Sequence, residues 1–592
     1  MKKIMGRIRE FEIETFDQGA TVKIAPEEID GDLQHYRIMV DFAEPVVPDK
    51  IRIRWLEPFV DMLSTWTPGN RFDRGLYADW RPMRTYSRTA AGAPVLSLVG
   101  RDGTNSCTVA VADAATPLML SAGISERKGD CYCVLELFIN RMDVMQHYET
   151  TLRIDSRKCP FYDSIKETRR WWSETGYPPA HVPADAKRAM FSTWYNFQKE
   201  ITTDAVVRQC EMAKEYGLDT VILDDGWQTA ENATGGYSFC GDWEVTPTKI
   251  PDMRALVDKI HTLGMKFMLW YSVPFVGVHT KAWEQFEGMY LWTRDGGKTG
   301  VLDPRFAKTR AYLVELYEKA VREWELDGLK LDFIDCFSLR EESPANYEDM
   351  DCVSLEAAVE KLLSEITSTL RAINPEIMLE FRQSYIGPIM QKYGNILRVG
   401  DCVGGATINR VSSLDLRLLT DNGTAVHSDM ILWNYDAPVE TAADQMVNVL
   451  YCVPQISVLF DKLPAEHEKM LKYYLKFIDD NRSVLLDGEL ILRGVEGAYS
   501  QVCAKADGEA ITTVFTNPLF KLEEAYGKLT IANGSGSCEV YIENTLQEIR
   551  YAYETVNCMG ETAEEGQVCL AREAVTKFTV PVCGFLFLRK IL

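Results

Sequence analysis

The sequence predicts a multidomain α/β protein in which a central (β/α)8 TIM barrel follows an N-terminal β-sandwich and precedes a small C-terminal β domain. Its 592 residues are too many for a single hydrophobic core. In the middle of the chain, short apolar strands alternate with amphipathic helices, whereas both ends show the alternating apolar and polar residues of antiparallel sheets. We therefore predict a sandwich over 1–160, a linker and helix over 161–184, the barrel over 185–484 and the C-terminal β domain over 485–592.

The N-terminal region consists of short alternating segments, such as residues 36–42 and 134–139, which are separated by Gly, Pro and Asp. This pattern is typical of a β-sandwich. Residues 62–80 differ because they are rich in aromatic residues and Arg but are built from turn formers, so we predict a long loop there. Long loops often carry functional residues.

The barrel prediction depends on eight strand candidates. They are residues 189–196, 220–224, 266–272, 329–333, 377–381, 396–399, 425–428 and 455–459. Amphipathic helices lie between them, for example residues 204–216, closed by Gly217, and residues 355–373, which end before Pro375. Eight such units over about 300 residues fit a TIM barrel with insertions, since a typical one has about 250.

Charge and composition exclude several classes of partner. The chain has 64 Lys and Arg against 87 Asp and Glu, and this net charge of −23 repels phosphate backbones and anionic lipids. We expect neither a nucleic acid nor a membrane as a partner. The sequence has no stretch of 18 apolar residues, no signal-peptide pattern and no C-x-x-C pair among its 15 Cys. We therefore expect a cytoplasmic protein with reduced thiols.

Acidic and aromatic residues concentrate at the predicted strand ends, and the C-terminal strand ends are where a TIM barrel carries its active site. Neither a Gly-rich phosphate loop nor a metal-type His cluster accompanies them, so we expect no cofactor and no metal. Carboxylates that accept hydroxyl hydrogens, together with Trp, indicate a neutral polyhydroxylated ligand such as a sugar. The strand-end motifs are Asp224-Asp225-Gly226-Trp227, Trp270-Tyr271, Lys330-Leu331-Asp332, Glu380-Phe381-Arg382, Arg398-Val399-Gly400-Asp401 and His427-Ser428-Asp429.

Asp332 is the predicted nucleophile of a glycosidase. Lys330 lies two residues earlier on the same face of the strand, and a cation there keeps a carboxylate ionised. The partner acid must instead be protonated so that it can donate to the leaving oxygen. We assign this role to Asp401, which follows Arg398 on a Gly-containing turn, and we expect a like-charged neighbour and partial burial to raise its pKa. Helix N-capping is the plainer alternative for either Asp.

Asp224 and Asp225 form a second candidate group. Adjacent acids repel each other unless hydroxyls or cations satisfy them, which favours a binding role. The alternative is that Asp225 starts an Asx turn and only Asp224 faces the site. Trp194 and Trp270 are either walls of the pocket or packing residues of the barrel.

These motifs resemble glycoside hydrolase family 36, which contains α-galactosidases and raffinose-synthase-like enzymes and belongs to clan D with families 27 and 31. The segments that carry the resemblance are Leu223-Asp-Asp-Gly-Trp-Gln228, Leu329-Lys-Leu-Asp-Phe333 and Leu397-Arg-Val-Gly-Asp401. Their order and strand positions match those of the family, and the arrangement of sandwich, barrel and C-terminal β domain matches as well. The resemblance implies a nucleophile at Asp332 and a general acid/base at Asp401, in agreement with the choice made from the residues themselves.

The resemblance also implies a sugar pocket. Asp224 and Asp225 would bind the 4- and 6-hydroxyls of a galactose-like sugar between Trp194 and Trp270. Lys330 and Arg398 would line the same pocket. Trp66, in a sandwich loop like the one that reaches over the barrel mouth in this family, would complete it.

The sequence departs from the family at two places. The family commonly has Arg-x-Gly-x-Asp on strand six, whereas one residue fewer separates Arg398 from Asp401 here. Many members have a Cys and paired Gly after strand five, where this chain has Glu380-Phe-Arg-Gln-Ser-Tyr385. Glu380 and Arg382 share a face of the strand and can simply pair; otherwise Arg382 and Gln383 are expected to set the sugar substituent that is accepted.

The resulting prediction is a retaining α-glycosidase, most simply an α-galactosidase, that hydrolyses terminal α-linked galactose-like sugars through a covalent glycosyl-enzyme. Two alternatives stay open. One is a raffinose-synthase-like transglycosylase that passes the galactosyl group to another sugar. The other is a non-catalytic carbohydrate-binding or sensor protein. An oligosaccharide or glycoside is the expected partner in each case, and relatives of this kind often form homo-oligomers.

Overall fold

The computed structural model describes residues 9–16, 19–233, 236–344 and 349–591. The N-terminal region forms two six-stranded sheets that share one hydrophobic core. Its strands are β1 (Glu12–Thr15), β2 (Ala20–Asp30), β3 (Leu33–Val46), β4 (Ile51–Glu57), β5 (Met62–Trp66), β6 (Met83–Arg88), β7 (Ala91–Gly92), β8 (Val95–Gly100), β9 (Asn105–Val111), β10 (Leu118–Ile124), β11 (Cys131–Leu137) and β12 (Met145–Asp155).

One sheet has the order β1-β4-β11-β10-β6-β7 and the other β2-β3-β12-β9-β8-β5. The sequence prediction of a loop over residues 62–80 was wrong for its first five residues, because Met62–Trp66 pairs with β8 as an edge strand. The rest of that segment, up to β6, contains no strand. The sandwich is followed by helix α1 (Phe161–Glu174).

The central part is a closed barrel of eight parallel strands, which confirms the predicted fold class. The barrel strands, in spatial order, are β13 (Met190–Ser192), β14 (Thr220–Leu223), β15 (Lys266–Ser272), β19 (Gly328–Asp332), β20 (Met378–Arg382), β21 (Ile396–Arg398), β22 (Ala425–Ile431) and β23 (Val453–Ile456). All eight predicted strands overlap one of these. The largest difference is at the first, which was predicted to reach residue 196 but ends at Ser192 because the chain turns into a short helix.

Helices cover the outside of the barrel. Their bounds are α2 (Trp194–Phe197), α3 (Thr203–Lys214), α4 (Met253–Thr262), α5 (Lys281–Gln285), α6 (Ala307–Trp324), α7 (Leu355–Ile373), α8 (Pro388–Tyr393), α9 (Ala406–Thr420), α10 (Val439–Val447) and α11 (Ala465–Asp480). A small sheet of β16 (Phe275–Gly277), β18 (Thr299–Leu302) and β17 (Tyr290–Arg294) is inserted after β15. The apolar stripe that predicted residues 355–373 as a helix is buried along α7, and the Ser354 hydroxyl caps its first turn.

The register of the barrel strands decides which side chains meet at its C-terminal end. Trp270, Lys330 and Glu380 lie in one row across β15, β19 and β20. Because side chains two apart on a strand share a face, Asp332 and Arg382 form the next row towards the C-terminal end. The barrel thus brings the carboxylate of Asp332 and the guanidinium of Arg382, on adjacent strands, side by side at its mouth.

The C-terminal domain consists of a seven-stranded sheet and a three-stranded sheet around one core. Its strands are β24 (Glu489–Arg493), β25 (Gln501–Ala506), β26 (Glu509–Val514), β27 (Leu519–Leu522), β28 (Lys528–Asn533), β29 (Glu539–Asn544), β30 (Ile549–Val556), β31 (Thr562–Leu570), β32 (Ala574–Thr579) and β33 (Phe585–Lys590). Among the described residues, no helix is both long and apolar enough to cross a membrane.

A buried carboxylate joins the three parts of the chain. Asp415 on α9 accepts two hydrogen bonds from Arg74 of the sandwich, at 2.6 and 2.8 Å, and one from the indole of Trp66 at 2.8 Å. The Tyr499 hydroxyl of the C-terminal domain donates to the same carboxylate at 2.5 Å. This cluster fixes the sandwich loop over the barrel.

Candidate active site

Asp332 ends β19 and is surrounded by hydrogen-bond donors. The Trp270 indole donates to its Oδ2 at 3.1 Å, while the Phe333 amide, at 2.9 Å, and the Arg382 guanidinium donate to its Oδ1. Burial acts to raise the pKa of this carboxyl, but Arg382, Lys330 and Arg398 outweigh it and lower the pKa to about 2. Asp332 is therefore fully ionised at neutral pH, which is the state that a nucleophile needs.

The cation that pairs with Asp332 is not the one that the sequence suggested. Lys330 points into the barrel, as the strand period requires, but its Nζ donates to Asp224 Oδ2 at 2.6 Å. Arg382 pairs with Asp332 instead, and the alternative of a simple pair between Arg382 and Glu380 is wrong. Glu380 accepts a hydrogen bond from Gln455 and lies 3.5 Å from Arg398.

Asp401 lies at the open mouth, where its side chain is 59% exposed. Arg398 donates to its Oδ1 at 3.0 Å. Burial acts to raise the pKa of Asp401, but Arg398, Lys330 and Arg382 outweigh it and the pKa is lowered. The expectation of a raised pKa was therefore wrong for the ligand-free site, because the neighbouring charges are mostly cations and the side chain is largely hydrated.

Asp429 is a further residue of the site, and no role was predicted for it from the sequence. It is fully buried and accepts hydrogen bonds from Arg398 at 2.6 Å, from the Tyr195 hydroxyl at 2.7 Å and from the Cys402 amide at 2.6 Å. It thereby holds both the arginine and the turn that carry Asp401. Its position at a strand end, in the motif that contains His427, was the signal available in the sequence.

Asp224 and Asp225 directly follow β14, and both are only 2% exposed. Asp225 accepts a hydrogen bond from Gln228 at 2.7 Å and lies 3.5 Å from Lys199. Burial is the main reason that the pKa of Asp225 is raised. Gly226 follows them with φ +118°, and a Cβ on it would lie 2.6 Å from the Lys199 Cα, so only glycine fits this turn.

The three tryptophans have different surroundings. Trp270 is 2% exposed and directs its N–H to Asp332, while Tyr237 stacks on its ring at 6.4 Å. Trp194 is half-buried and begins α2, just beyond the strand in which we predicted it. Trp66 is fully buried against Asp415, so its ring is not presented to the barrel mouth, contrary to the expectation. Other residues of the same sandwich loop reach the mouth instead.

A match to a protein family covers part of the barrel. Residues 180–380 match the melibiase family model. The chain is 29% identical over 150 residues to alpha-galactosidase 2 of Pediococcus pentosaceus, and the aligned part is 24% of this chain and 21% of that protein. It is 25% identical over 212 residues, 31% of this chain, to the A type blood alpha-D-galactosamine galactosaminidase of Flavonifractor plautii.

The chain has the fold of solved GH36 alpha-galactosidases. A GH36 alpha-galactosidase AgaA variant of Geobacillus stearothermophilus in complex with 1-deoxygalactonojirimycin superposes with a TM-score of 0.64, at 15% identity, over 97% of this chain and 82% of that chain. TtGalA, an alpha-galactosidase of Thermus thermophilus, gives a TM-score of 0.53 at 16% identity, over 81% of this chain and 97% of that one.

The similarity to known proteins extends over more of the chain in structure than in sequence. The chain matches only 21% and 18% of the lengths of the two curated proteins. It superposes on 82% of the AgaA chain, but at 15% identity this similarity establishes only the fold. The catalytic activity must therefore be inferred from the site residues and tested by direct experiment.

Proposed function

We propose that this protein is a retaining α-galactosidase that hydrolyses terminal α-linked galactose-like sugars. One observation carries the proposal: a buried, fully ionised Asp332 at the end of β19 and a solvent-facing Asp401 after β21 stand at the mouth of the barrel, and a cluster of arginines controls the charge of both. Two carboxylates with unlike surroundings are the groups that a retaining glycosidase requires.

In the first step, an Asp332 oxygen attacks the anomeric carbon as the bond to the leaving oxygen breaks, and Asp401 gives its proton to that oxygen. Asp401 must first gain a proton, although its pKa is lowered in the free site. A sugar that fills the barrel mouth removes water from the partly exposed Asp401 carboxyl, and this desolvation raises its pKa. The proposal therefore predicts protonation coupled to substrate binding.

In the second step, Asp401, now ionised, takes a proton from water, and the water oxygen displaces Asp332 from the anomeric carbon. The Trp270 indole and the Phe333 amide each donate a hydrogen bond to an oxygen of Asp332. These donors stabilise the carboxylate that leaves at the end of the cycle.

Asp224, Asp225 and Lys330 supply the sugar contacts in this proposal. Asp224 forms an ion pair with Lys330, and Asp225 accepts a hydrogen bond from Gln228. Each carboxylate has further oxygen lone pairs that can accept hydrogen bonds from sugar hydroxyls. Two similar proteins support galactose or galactosamine as the sugar, because one is named an alpha-galactosidase and the other an alpha-D-galactosamine galactosaminidase. Of the two, we propose galactose.

We further propose that the enzyme acts in the cytoplasm on free oligosaccharides or glycosides. All 15 cysteines are free thiols in the structure, as expected in a reducing compartment. Three similar structures contain 1-deoxygalactonojirimycin, raffinose or stachyose, which supports small galactose-containing sugars as substrates.

A panel of 4-nitrophenyl α- and β-glycosides of galactose, N-acetylgalactosamine and glucose tests the proposal. We expect turnover of the α-galactoside with net retention, observed as α-galactose at early times by NMR. Turnover of only another sugar, or release of β-galactose first, would contradict it. Addition of sucrose as an acceptor separates hydrolysis from transfer, since a transglycosylase then releases less free galactose.

A further inference from the structure

The segment between β5 and β6 lies against the C-terminal ends of β20 and β21. The Thr65 amide donates to the Arg74 carbonyl at 2.8 Å and closes this loop at its base. The Gln383 side chain, just after β20, donates to the Pro68 carbonyl at 2.8 Å and attaches the loop to the barrel. The sandwich loop is therefore a fixed part of the barrel mouth.

Arg71 occupies the tip of this loop next to Asp401. A Cβ placed on Gly400 would lie 3.5 Å from Arg71 Nη2 and 3.4 Å from the Gln383 carbonyl. Arg71 is half-buried and has a φ of +49°, in the left-handed region that residues other than glycine rarely adopt. Such backbone strain concentrates at binding and catalytic sites, where the surrounding structure maintains it.

Arg71 also differs from the other arginines of the region in its partners. Arg74, Arg382 and Arg398 each form an ion pair with a carboxylate of the barrel. Within the described part of the chain, Arg71 forms neither a hydrogen bond nor an ion pair, although the protein carries a net charge of −23. A half-buried guanidinium that has lost part of its hydration without gaining an anion is costly.

We propose that Arg71 binds an anionic group, a carboxylate or a phosphate, on the aglycone of the substrate. This inference rests on the proposed function, in which Asp401 protonates the leaving oxygen. The aglycone then lies over the turn that carries Asp401, and the Arg71 guanidinium packs against Gly400 of that turn. The planar guanidinium fork matches both carboxylate and phosphate in a bidentate arrangement.

Three α-galactosides with para-substituted phenyl aglycones test the inference: 4-carboxyphenyl, 4-phosphonophenyl and the neutral 4-carbamoylphenyl. The kcat/KM ratio of each charged substrate to the neutral one is measured in the native enzyme and in Arg71→Gln, so that differences in leaving-group acidity cancel. Arg84→Gln is the matched control, because Arg84 is an exposed arginine of the same domain that forms no ion pair with the residues described.

We expect at least one charged-to-neutral ratio to fall by about 10- to 100-fold in Arg71→Gln, the range for a hydrogen bond to a charged group, with little change for the neutral substrate. Arg71→Lys should retain part of the preference and Arg84→Gln all of it. Added NaCl should reduce the preference in the native enzyme but not in Arg71→Gln. The larger of the two ratios identifies the anion.

The same three compounds are titrated by calorimetry into Asp332→Asn, with and without Arg71→Gln. Equal ratios with and without Arg71, in both turnover and binding, or no binding of the charged compounds, would overturn the inference. The proposed function is tested separately, by whether the enzyme turns over the neutral galactoside. Failure of the inference about Arg71 is therefore distinguishable from failure of the proposed function.

Discussion

Arg382→Gln is expected to move the acidic limb of the pH–activity profile to higher pH. Arg382 is the largest of the cationic contributions that keep Asp332 ionised, and it donates directly to Asp332 Oδ1. Gln retains a hydrogen-bond donor of smaller reach but has no charge. The substitution therefore removes the electrostatic effect from a site that is otherwise intact.

The size of the shift follows from the structure. The pKa of Asp332 is about 2 although the side chain is buried. An opposite charge at this range lowers a carboxyl pKa by about 1–3 units, so its loss should raise the pKa of Asp332 to roughly 3–5. This equals about 1.4–4 kcal/mol of stabilisation of the ionised form. Lys330 and Arg398 remain and prevent a larger change.

The assay is kcat/KM for an activated α-galactoside between about pH 2.5 and 8. A nucleophile acts only when ionised, so a raised pKa moves the acidic limb upwards by the same amount. Arg382→Lys keeps the charge and should shift the limb less than Arg382→Gln. An acidic limb that stays in place in Arg382→Gln, with activity lowered equally at all pH values, would refute the electrostatic role of Arg382.

Three further changes test other parts of the site. Trp270→Phe removes the donor to Asp332 Oδ2 and should lower kcat by about 10- to 100-fold with a smaller change in KM; an unchanged kcat would argue against this contact in the reaction. Asp429→Asn removes a competing anion from the arginine that pairs with Asp401, so the pKa of Asp401 should fall further and the alkaline limb of kcat/KM should move to lower pH; a shift to higher pH would contradict this. Asp415→Ala leaves a buried arginine unpaired and should cost about 3–5 kcal/mol in denaturant unfolding, whereas a change below about 1 kcal/mol would mean that the junction contributes little.

The sequence was sufficient to predict the barrel. Short apolar runs located its strands, and Asp224 and Asp332 lie where two of those strands, β14 and β19, end. The predicted fold class was confirmed in full. Helix α7 was predicted to its last residue, since its apolar stripe and the Pro375 that follows it are both local features.

The charge pairing was beyond the sequence because it depends on register and on distant segments. Lys330 lies opposite Glu380, so Arg382 faces Asp332, and this parallel register has no local signal. Trp66 is buried because Asp415, 349 positions along the chain, accepts its N–H. The low pKa of Asp401 likewise depends on cations from three strands. Sequence patterns identify the groups, whereas tertiary contacts set their protonation.

The central claim is that Asp332 forms a covalent bond to the sugar. A 5-fluoro-galactosyl fluoride of α configuration should react with the enzyme, lose fluoride from the anomeric carbon and leave a slowly hydrolysed glycosyl ester, which mass spectrometry of peptides can locate. The account predicts a single label on the peptide that contains Asp332, and no label in Asp332→Asn. A label on another carboxylate, or release of sugar without any covalent intermediate, would contradict it.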